Sequence, residues 1–194
     1  METSPLTPRF EDAFQFAHHL HAAQTRKGSR TPYIAHLMAV SALVLENGGD
    51  EDQAIAALLH DAVEDQGGKK TLEEIRQRYG ERVARIVDSC SDSDTIPKPP
   101  WNERKQAYID HLRQAHPDVI LVSLADKVHN ARAILADLRR EGETIWDRFK
   151  GAKEGSLWYY RTLVQVFQEI SSSPMVEELA KVVAEIDQRA GAEK

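Results

Sequence analysis

Cysteine is nearly absent from this sequence: Cys90 is the only one among 194 residues. A single cysteine cannot form a disulfide within the chain, which is typical of a reducing compartment and predicts a cytoplasmic location. It also argues against a structural zinc site, because such sites usually bind zinc through several thiolates. A glycine-rich phosphate loop and a serine or cysteine nucleophile beside a base are missing too, which argues against a P-loop enzyme and against covalent catalysis.

Long hydrophobic runs and an excess of positive charge are missing as well. No apolar stretch approaches the roughly 20 residues that cross a bilayer, and the first residues lack the basic and then apolar pattern of a secretory signal, so we expect no membrane partner. The formal net charge of −6 argues against general nucleic-acid binding. The length suits one domain with a proper core, and we predict a single domain over residues 1–194.

Helical periodicity, bounded by residues that typically start or end helices, covers almost the whole chain. Thr7-Pro8 and Thr71-Leu72-Glu73-Glu74 are helix starts, Gly67-Gly68 is a helix end, and the prolines within residues 91–100 predict a loop. The predicted helices lie at about 8–26, 33–46, 51–66, 71–79, 81–90, 102–115, 117–140, 144–170 and 174–189. Because no segment shows the alternation of a strand, the predicted fold class is all-α, a bundle of about nine helices.

Two histidines and two aspartates form the most informative pattern: His36, the adjacent pair His60-Asp61, and Asp126, spread over three predicted helices. Imidazole and carboxylate are donors that a borderline-hard divalent metal accepts, and buried carboxylates without a metal or partner would be costly. Four protein ligands on an octahedral ion leave about two positions for water and substrate, which predicts a catalytic metal and hydrolysis. Five of the other six histidines are interpreted as hydrogen-bonded core or surface residues: His18, His19, His21, His111 and His116.

Two further acids lie one helical turn beyond the histidine–aspartate pair. Glu64 is four residues after His60, and Asp65 is four residues after Asp61, so each pair shares a helix face about 6 Å apart. At that distance a carboxylate can reach water at the metal and act as a general base. Acids at a helix C-terminus oppose the macrodipole, which argues against a merely solvated helix end. We therefore predict that Glu64 and Asp65 act in catalysis.

Four strings, in this order and spacing, resemble the HD superfamily of metal-dependent phosphohydrolases. They are Arg26-Lys27, residues 31–36 (TPYIAH), residues 57–65 (ALLHDAVED) and residues 124–130 (LADKVHN). Together they look like the hydrolase domain of RelA/SpoT homologues, over about residues 10–170. Because no second domain is seen, the chain is most similar to the small alarmone hydrolases.

This resemblance implies a function and a cofactor. The function is hydrolysis of guanosine 3′,5′-bis(diphosphate), ppGpp, and of pppGpp to pyrophosphate and GDP or GTP, which ends stringent-response signalling. The cofactor is one Mn²⁺ held by His36, His60, Asp61 and Asp126, although Mg²⁺ or Fe²⁺ also suits such donors.

Substrate contacts follow from the same resemblance and from donor chemistry. Arg26 can stack on a base or fork onto phosphate, while Lys27 acts as a point charge, and an acidic protein needs such local cations to bind a polyphosphate. Asn130 offers a neutral amide four residues after Asp126 that can read a phosphate, ribose or base edge. Four more residues resemble family contacts to phosphate or nucleoside: Lys98, Arg104, Lys105 and Tyr159. The alternatives are a solvated helix end for the Arg26-Lys27 pair and core packing for Tyr159.

Two other functions fit the same residues. An HD phosphohydrolase acting on an adenosine alarmone, a nucleoside monophosphate or the 2′-phosphate of NADPH would share the ligand set, and only the basic loop and Glu64-Asp65 argue against it. A catalytically silent HD module that regulates or binds would keep the fold, although an intact ligand set with both acids argues against that. The sequence leaves open the base preference, the resident metal and whether the chain forms homo-oligomers.

Overall fold

A computed structural model describes residues 6–91 and 99–192 of the chain. In these two stretches every regular element is a helix, apart from one isolated β-bridge between Thr25 and Pro32. The α-helices are α1 (Pro8–Leu20), α2 (Ile34–Glu46), α3 (Glu51–Leu59), α4 (Ala62–Asp65), α5 (Lys69–Tyr79), α6 (Glu81–Cys90), α7 (Trp101–Leu112), α8 (Pro117–Glu141), α9 (Ala152–Ile170) and α10 (Pro174–Ala192), with a 3-10 helix at Gly142–Arg148. The all-α prediction is confirmed, and α3 and α4 counted as one interrupted helix give the predicted number.

The chain divides into two compact units, and one of the boundaries between them falls inside α8, between Ala125 and Asp126. The first unit contains α1 to α6 and the start of α8, and α3 lies at its centre, in contact with α1, α2 and α6. Every residue from Gln53 to Leu59 is buried, as expected for a helix that is apolar on all sides. This helix therefore delivers its next residue, His60, into the interior of the unit.

The second unit contains α7, the rest of α8, the 3-10 helix, α9 and α10. Its α9 contacts α7 and α10, and Leu163, Val166 and Phe167 on α9 are fully buried. Gly151 lies against the indole of Trp101, where a Cβ would come within 2.7 Å of the ring. A glycine is thus needed where α7 meets the start of α9. No helix in the described part of the chain is both long and apolar enough to cross a membrane.

The predicted continuous helix over residues 51–66 is wrong, because the helix is interrupted at His60 and Asp61. The imidazole Nδ1 of His60 lies 2.8 Å from the carbonyl oxygen of Ala57, the acceptor that a continuing α-helix would pair with the amide of Asp61. In an unbroken helix, neighbouring side chains point about 100° apart. The interruption instead brings the carboxylate of Asp61 to within 3.1 Å of the His60 ring.

Other helix boundaries differ from the prediction for local reasons. The first helix ends at Leu20, before the loop closed by the Thr25–Pro32 bridge. The fifth begins at Lys69, and Thr71 does not cap it: its hydroxyl donates to the carbonyl of Gln66 at 2.7 Å. The predicted helix at 144–170 is a 3-10 helix followed by α9.

Candidate metal centre and active site

The imidazoles of His36 and His60 lie close to the carboxylate of Asp61 at the junction between α3 and α4. The Nε2 atoms of His60 and His36 lie 3.1 Å and 3.6 Å from the same atom, Oδ2 of Asp61, and both rings are buried. The Ala57 carbonyl accepts from Nδ1 of His60 at 2.8 Å, so a neutral His60 ring keeps its lone pair on Nε2. A backbone acceptor of this kind is how proteins commonly orient a histidine that binds a metal.

Asp126 continues α8 directly after the last residue of the first unit. Two donors on the same helix hold its buried carboxylate: Nζ of Lys127 lies 2.6 Å from Oδ2, and Nδ2 of Asn130 lies 2.5 Å from Oδ1. His36, His60 and Asp126 each offer a ligand atom, and these three atoms lie within 4.8 Å of one another. The structure thus gathers three of the four predicted ligands in one buried group and sets Asp61 beside both histidines. Such nitrogen and oxygen donors fit a divalent metal.

Lys127 had no role in the sequence-based interpretation, although it stands next to a predicted ligand. Its Nζ lies 4.8 Å from the centre of the Tyr108 ring. Burial acts to lower the pKa of Lys127, but the neighbouring Asp126 carboxylate opposes it, and the pKa is raised well above its ordinary value. The ammonium therefore stays charged and fixes one oxygen of Asp126.

Asn130 was predicted to contact substrate, but in the structure its amide donates to Asp126. If it orients this ligand, Asn130→Ala should weaken metal binding about 10–100-fold, the usual cost of losing a hydrogen-bond partner of a ligand. Calorimetric titration of chelator-treated protein with Mn²⁺ measures this. Arg132→Ala, an exposed change on the same helix, is the control. Unchanged metal affinity with a raised KM would show that Asn130 acts on the substrate alone.

The two acids predicted to act in catalysis lie on α4, a single helical turn. Glu64 is half-buried and Asp65 is exposed. The backbone amide of Asp65 donates to the carbonyl of Asp61 at 3.0 Å, and its Oδ2 accepts from Nε2 of Gln24 at 2.8 Å. The backbone bond thus ties Asp65 to a predicted ligand, and Gln24, which the sequence did not single out, holds its carboxylate.

The loop that carries Arg26 and Lys27 is closed at its base by backbone hydrogen bonds. Arg26 donates to the carbonyl of Thr31 at 2.8 Å, and Tyr33 donates to that of Gln24 at 2.9 Å. The hydroxyl of Tyr33 donates to Oδ2 of Asp61 at 2.6 Å, and the Arg26 guanidinium lies 5.7 Å from the centre of the Tyr33 ring. Tyr33 therefore links the basic loop to a predicted ligand, while Lys27 stays exposed.

Three of the remaining predicted substrate residues lie in the second unit: Arg104, Lys105 and Tyr159. Nζ of Lys105 lies 5.1 Å from the centre of the Tyr159 ring. Tyr159 is buried and meets Trp101 edge-on at 6.2 Å, and Arg104 is buried as well. Lys98 lies outside the described residues.

Comparison with known proteins places this site in a family. A family model described as HD domain matches residues 13–157. The enzyme named guanosine-3′,5′-bis(diphosphate) 3′-pyrophosphohydrolase MESH1 is 37% identical in Mus musculus, over 72% of this chain and 74% of that protein. Its Xenopus tropicalis counterpart is 40% identical, over 66% of this chain and 69% of that protein.

A solved structure shares the fold. It is described as a metazoan orthologue of SpoT that hydrolyses ppGpp, with a TM-score of 0.78 and 25% identity over 95% of this chain and 98% of that one. The segment matched by the family model includes both histidines and both aspartates of the site. This chain belongs to the HD-domain family.

Proposed function

We propose that this protein is a metal-dependent guanosine-3′,5′-bis(diphosphate) 3′-pyrophosphohydrolase, which converts ppGpp and pppGpp to pyrophosphate and GDP or GTP. The observation that carries the proposal is that relatives named for this activity are 37–40% identical over about 70% of the chain. A buried group of two imidazoles and a carboxylate, in the same chain, supplies donors suited to a divalent metal. In a cell the reaction would end stringent-response signalling.

The proposed metal is Mn²⁺, held by His36, His60, Asp61 and Asp126, although Mg²⁺ or Fe²⁺ suits the same donors. The convergence of both Nε2 atoms on Oδ2 of Asp61 supports this ligand set, as does the fixed carboxylate of Asp126. When bound, such an ion polarises a phosphoryl oxygen and lowers the pKa of water.

In the proposed reaction Glu64 is the general base. Its carboxylate takes a proton from the attacking water, and Asp65 helps to orient that water. The water oxygen attacks the phosphorus bonded to the ribose 3′ oxygen, in line with the bond that breaks. The 3′ oxygen leaves that phosphorus and takes up a proton, which yields a free 3′ hydroxyl and pyrophosphate. The half-buried position of Glu64, one turn beyond His60, supports this role.

Cations and neutral donors are proposed to hold the nucleotide. Arg26 and Lys27 stand on a loop fastened through Tyr33 to Asp61, so phosphates bound there would lie near the metal. Asn130 gives one N–H to Asp126, and its remaining amide groups are the proposed neutral contact to the nucleotide. The proposed contacts of the second unit, together with the residue outside the described part, are Lys98, Arg104, Lys105 and Tyr159.

Domain organisation and cellular location complete the proposal. We treat residues 1–194 as one HD domain, because the family match runs through both compact units. A cytoplasmic location agrees with the single cysteine.

Release of pyrophosphate tests the function against the alternatives. Purified protein with Mn²⁺ is incubated with ppGpp, adenosine alarmones, NADPH and deoxynucleoside monophosphates, and pyrophosphate and orthophosphate are measured separately. We expect pyrophosphate from ppGpp and poor hydrolysis of the monophosphates. Orthophosphate from monophosphates with ppGpp untouched would overturn the alarmone assignment, and no turnover of any substrate would favour a silent HD module.

Lys27→Ala is expected to reduce kcat/KM for ppGpp roughly 10–150-fold, because a charge-assisted contact to phosphate contributes about 1.5–3 kcal/mol. The acidic protein can bind a pyrophosphate arm only through such local cations. Arg30→Ala, which removes another exposed cation from the same loop, is the matched control. Equal losses in both variants would show that Lys27 makes no specific contact.

A further inference from the structure

A chain of side-chain hydrogen bonds runs from the end of α1 to the acidic turn α4. It begins at His21, which is 2% exposed and whose Nδ1 lies 2.7 Å from Oε1 of Gln24. Nε2 of Gln24 lies 2.8 Å from Oδ2 of Asp65. Gln66 adds a second donor, with its Nε2 2.6 Å from Oε1 of Gln24. We call His21 and Gln24 the relay to Asp65.

The donor and acceptor of each bond in the relay follow from the carboxylate. An ionised carboxylate only accepts, so Gln24 must turn its NH₂ group toward Asp65. Its oxygen then faces the other way and accepts from both Gln66 and His21. Nδ1 of His21 must therefore carry a proton. Reversing the Gln24 amide would set its oxygen against the carboxylate, so each member fixes the orientation of the next.

The surroundings of His21 keep its ring in one place and one protonation state. The ring stacks on Tyr33, with centres 5.2 Å apart and planes 18° apart. Burial lowers the pKa of His21 although Gln24 and nearby carboxylates act to raise it, which favours the neutral ring. The bond to Gln24 places the proton of that neutral ring on Nδ1. Nε2 of His21 is buried and has no hydrogen-bond partner among residues 6–91 and 99–192. Within the described part of the chain, the bond to Gln24 is thus the only hydrogen bond of this ring.

We propose that His21 and Gln24 are positioning residues that hold the carboxylate of Asp65 in one orientation for the reaction. The inference rests on the proposed function, in which Asp65 assists Glu64. Asp65 is exposed and stands on a four-residue turn. A bond to an amide that is itself fixed by two donors favours one orientation of the Asp65 carboxylate before substrate arrives.

Gln24→Leu tests the relay, because leucine keeps the volume of the side chain and removes its hydrogen bonds to His21, Asp65 and Gln66. We expect kcat for ppGpp to fall about 10–100-fold, the size of effect that a misplaced catalytic group produces. KM and bound metal should stay within about twofold of the parent, since neither phosphate cations nor ligands are altered. An unchanged kcat would overturn the proposal.

Two substitutions at His21 separate the lost bond from lost packing. The amide of His21→Asn falls near the position of Nδ1 and can still donate to Gln24, whereas the amide of His21→Gln falls near Nε2. We expect His21→Asn to recover most of the rate that His21→Gln loses. Equal losses in both variants would mean that only packing matters and would contradict the relay.

A double-mutant cycle asks whether Gln24 acts through Asp65. In an Asp65→Ala background the relay has nothing to position, so Gln24→Leu should then change kcat less than about twofold. The same 10–100-fold loss in both backgrounds would show that Gln24 acts elsewhere.

A readout without turnover separates this inference from the proposed function. If the parent releases no pyrophosphate from ppGpp, the proposed function fails. The relay can still be tested by ¹⁵N NMR of the His21 ring. A ring proton on Nδ1 that is lost or shifted in Gln24→Leu supports the relay. A proton on Nε2 in the parent protein overturns it.

Discussion

His60→Ala is expected to abolish bound metal and, with it, hydrolysis of ppGpp. His60 lies in the buried group with His36 and Asp126, and its Nε2 faces Oδ2 of Asp61. Removing the imidazole deprives the proposed site of one of its two nitrogen donors. A metal ion contributes several kcal/mol to catalysis of this kind, which at about 1.4 kcal/mol for each factor of ten amounts to at least about 10³-fold in rate. Elemental analysis of the purified variant and pyrophosphate release give the two measurements.

Loss of metal from His60→Ala supports the ligand assignment only if the variant still folds. Circular dichroism of the variant should keep the helical spectrum, and His116→Ala, which removes an exposed histidine beside Asp118, serves as control for histidine loss. Asp126→Asn is a second route to the same end, because it keeps the shape of the side chain while replacing a carboxylate by an amide. Parent levels of metal in His60→Ala would refute the ligand assignment.

Helix content was predictable from this sequence, but the interruption that shapes the site was not. Residues 51–66 keep a helical apolar pattern throughout, so periodicity predicts one helix. The break arises from a side-chain bond, His60 to the carbonyl of Ala57, that competes with the backbone ladder. Its result is that adjacent residues, His60 and Asp61, face each other across 3.1 Å.

Ligand chemistry predicted the metal-binding residues from the sequence. It did not indicate the residues that contact Asp65. A neutral amide such as Gln24 has no metal-binding signature, and its partner Asp65 is 41 residues away in sequence. His21 was interpreted as an ordinary hydrogen-bonded histidine, which its buried bond to Gln24 fits. Tyr33 lies within the motif at residues 31–36, but only the folded loop brings its hydroxyl to Asp61. Such contacts depend on tertiary closure and not on local spacing.

Glu64→Gln is expected to lower kcat for ppGpp about 10²–10⁴-fold at saturating Mn²⁺, the usual contribution of a general base. Glutamine has nearly the same shape, so the turn α4 and the four proposed ligands stay intact and metal content should equal that of the parent. What is lost is the acceptor for the proton of the attacking water. Steady-state pyrophosphate release, with metal measured on the same samples, separates this loss from the loss of metal expected in His60→Ala.

A surface control distinguishes the loss of a base from a general loss of negative charge. Glu81→Gln, which neutralises an exposed glutamate paired with Arg76 on the surface, should keep the rate of the parent. Near-normal turnover in Glu64→Gln would remove this residue from the reaction and leave Asp65 as the acid that α4 offers for the role.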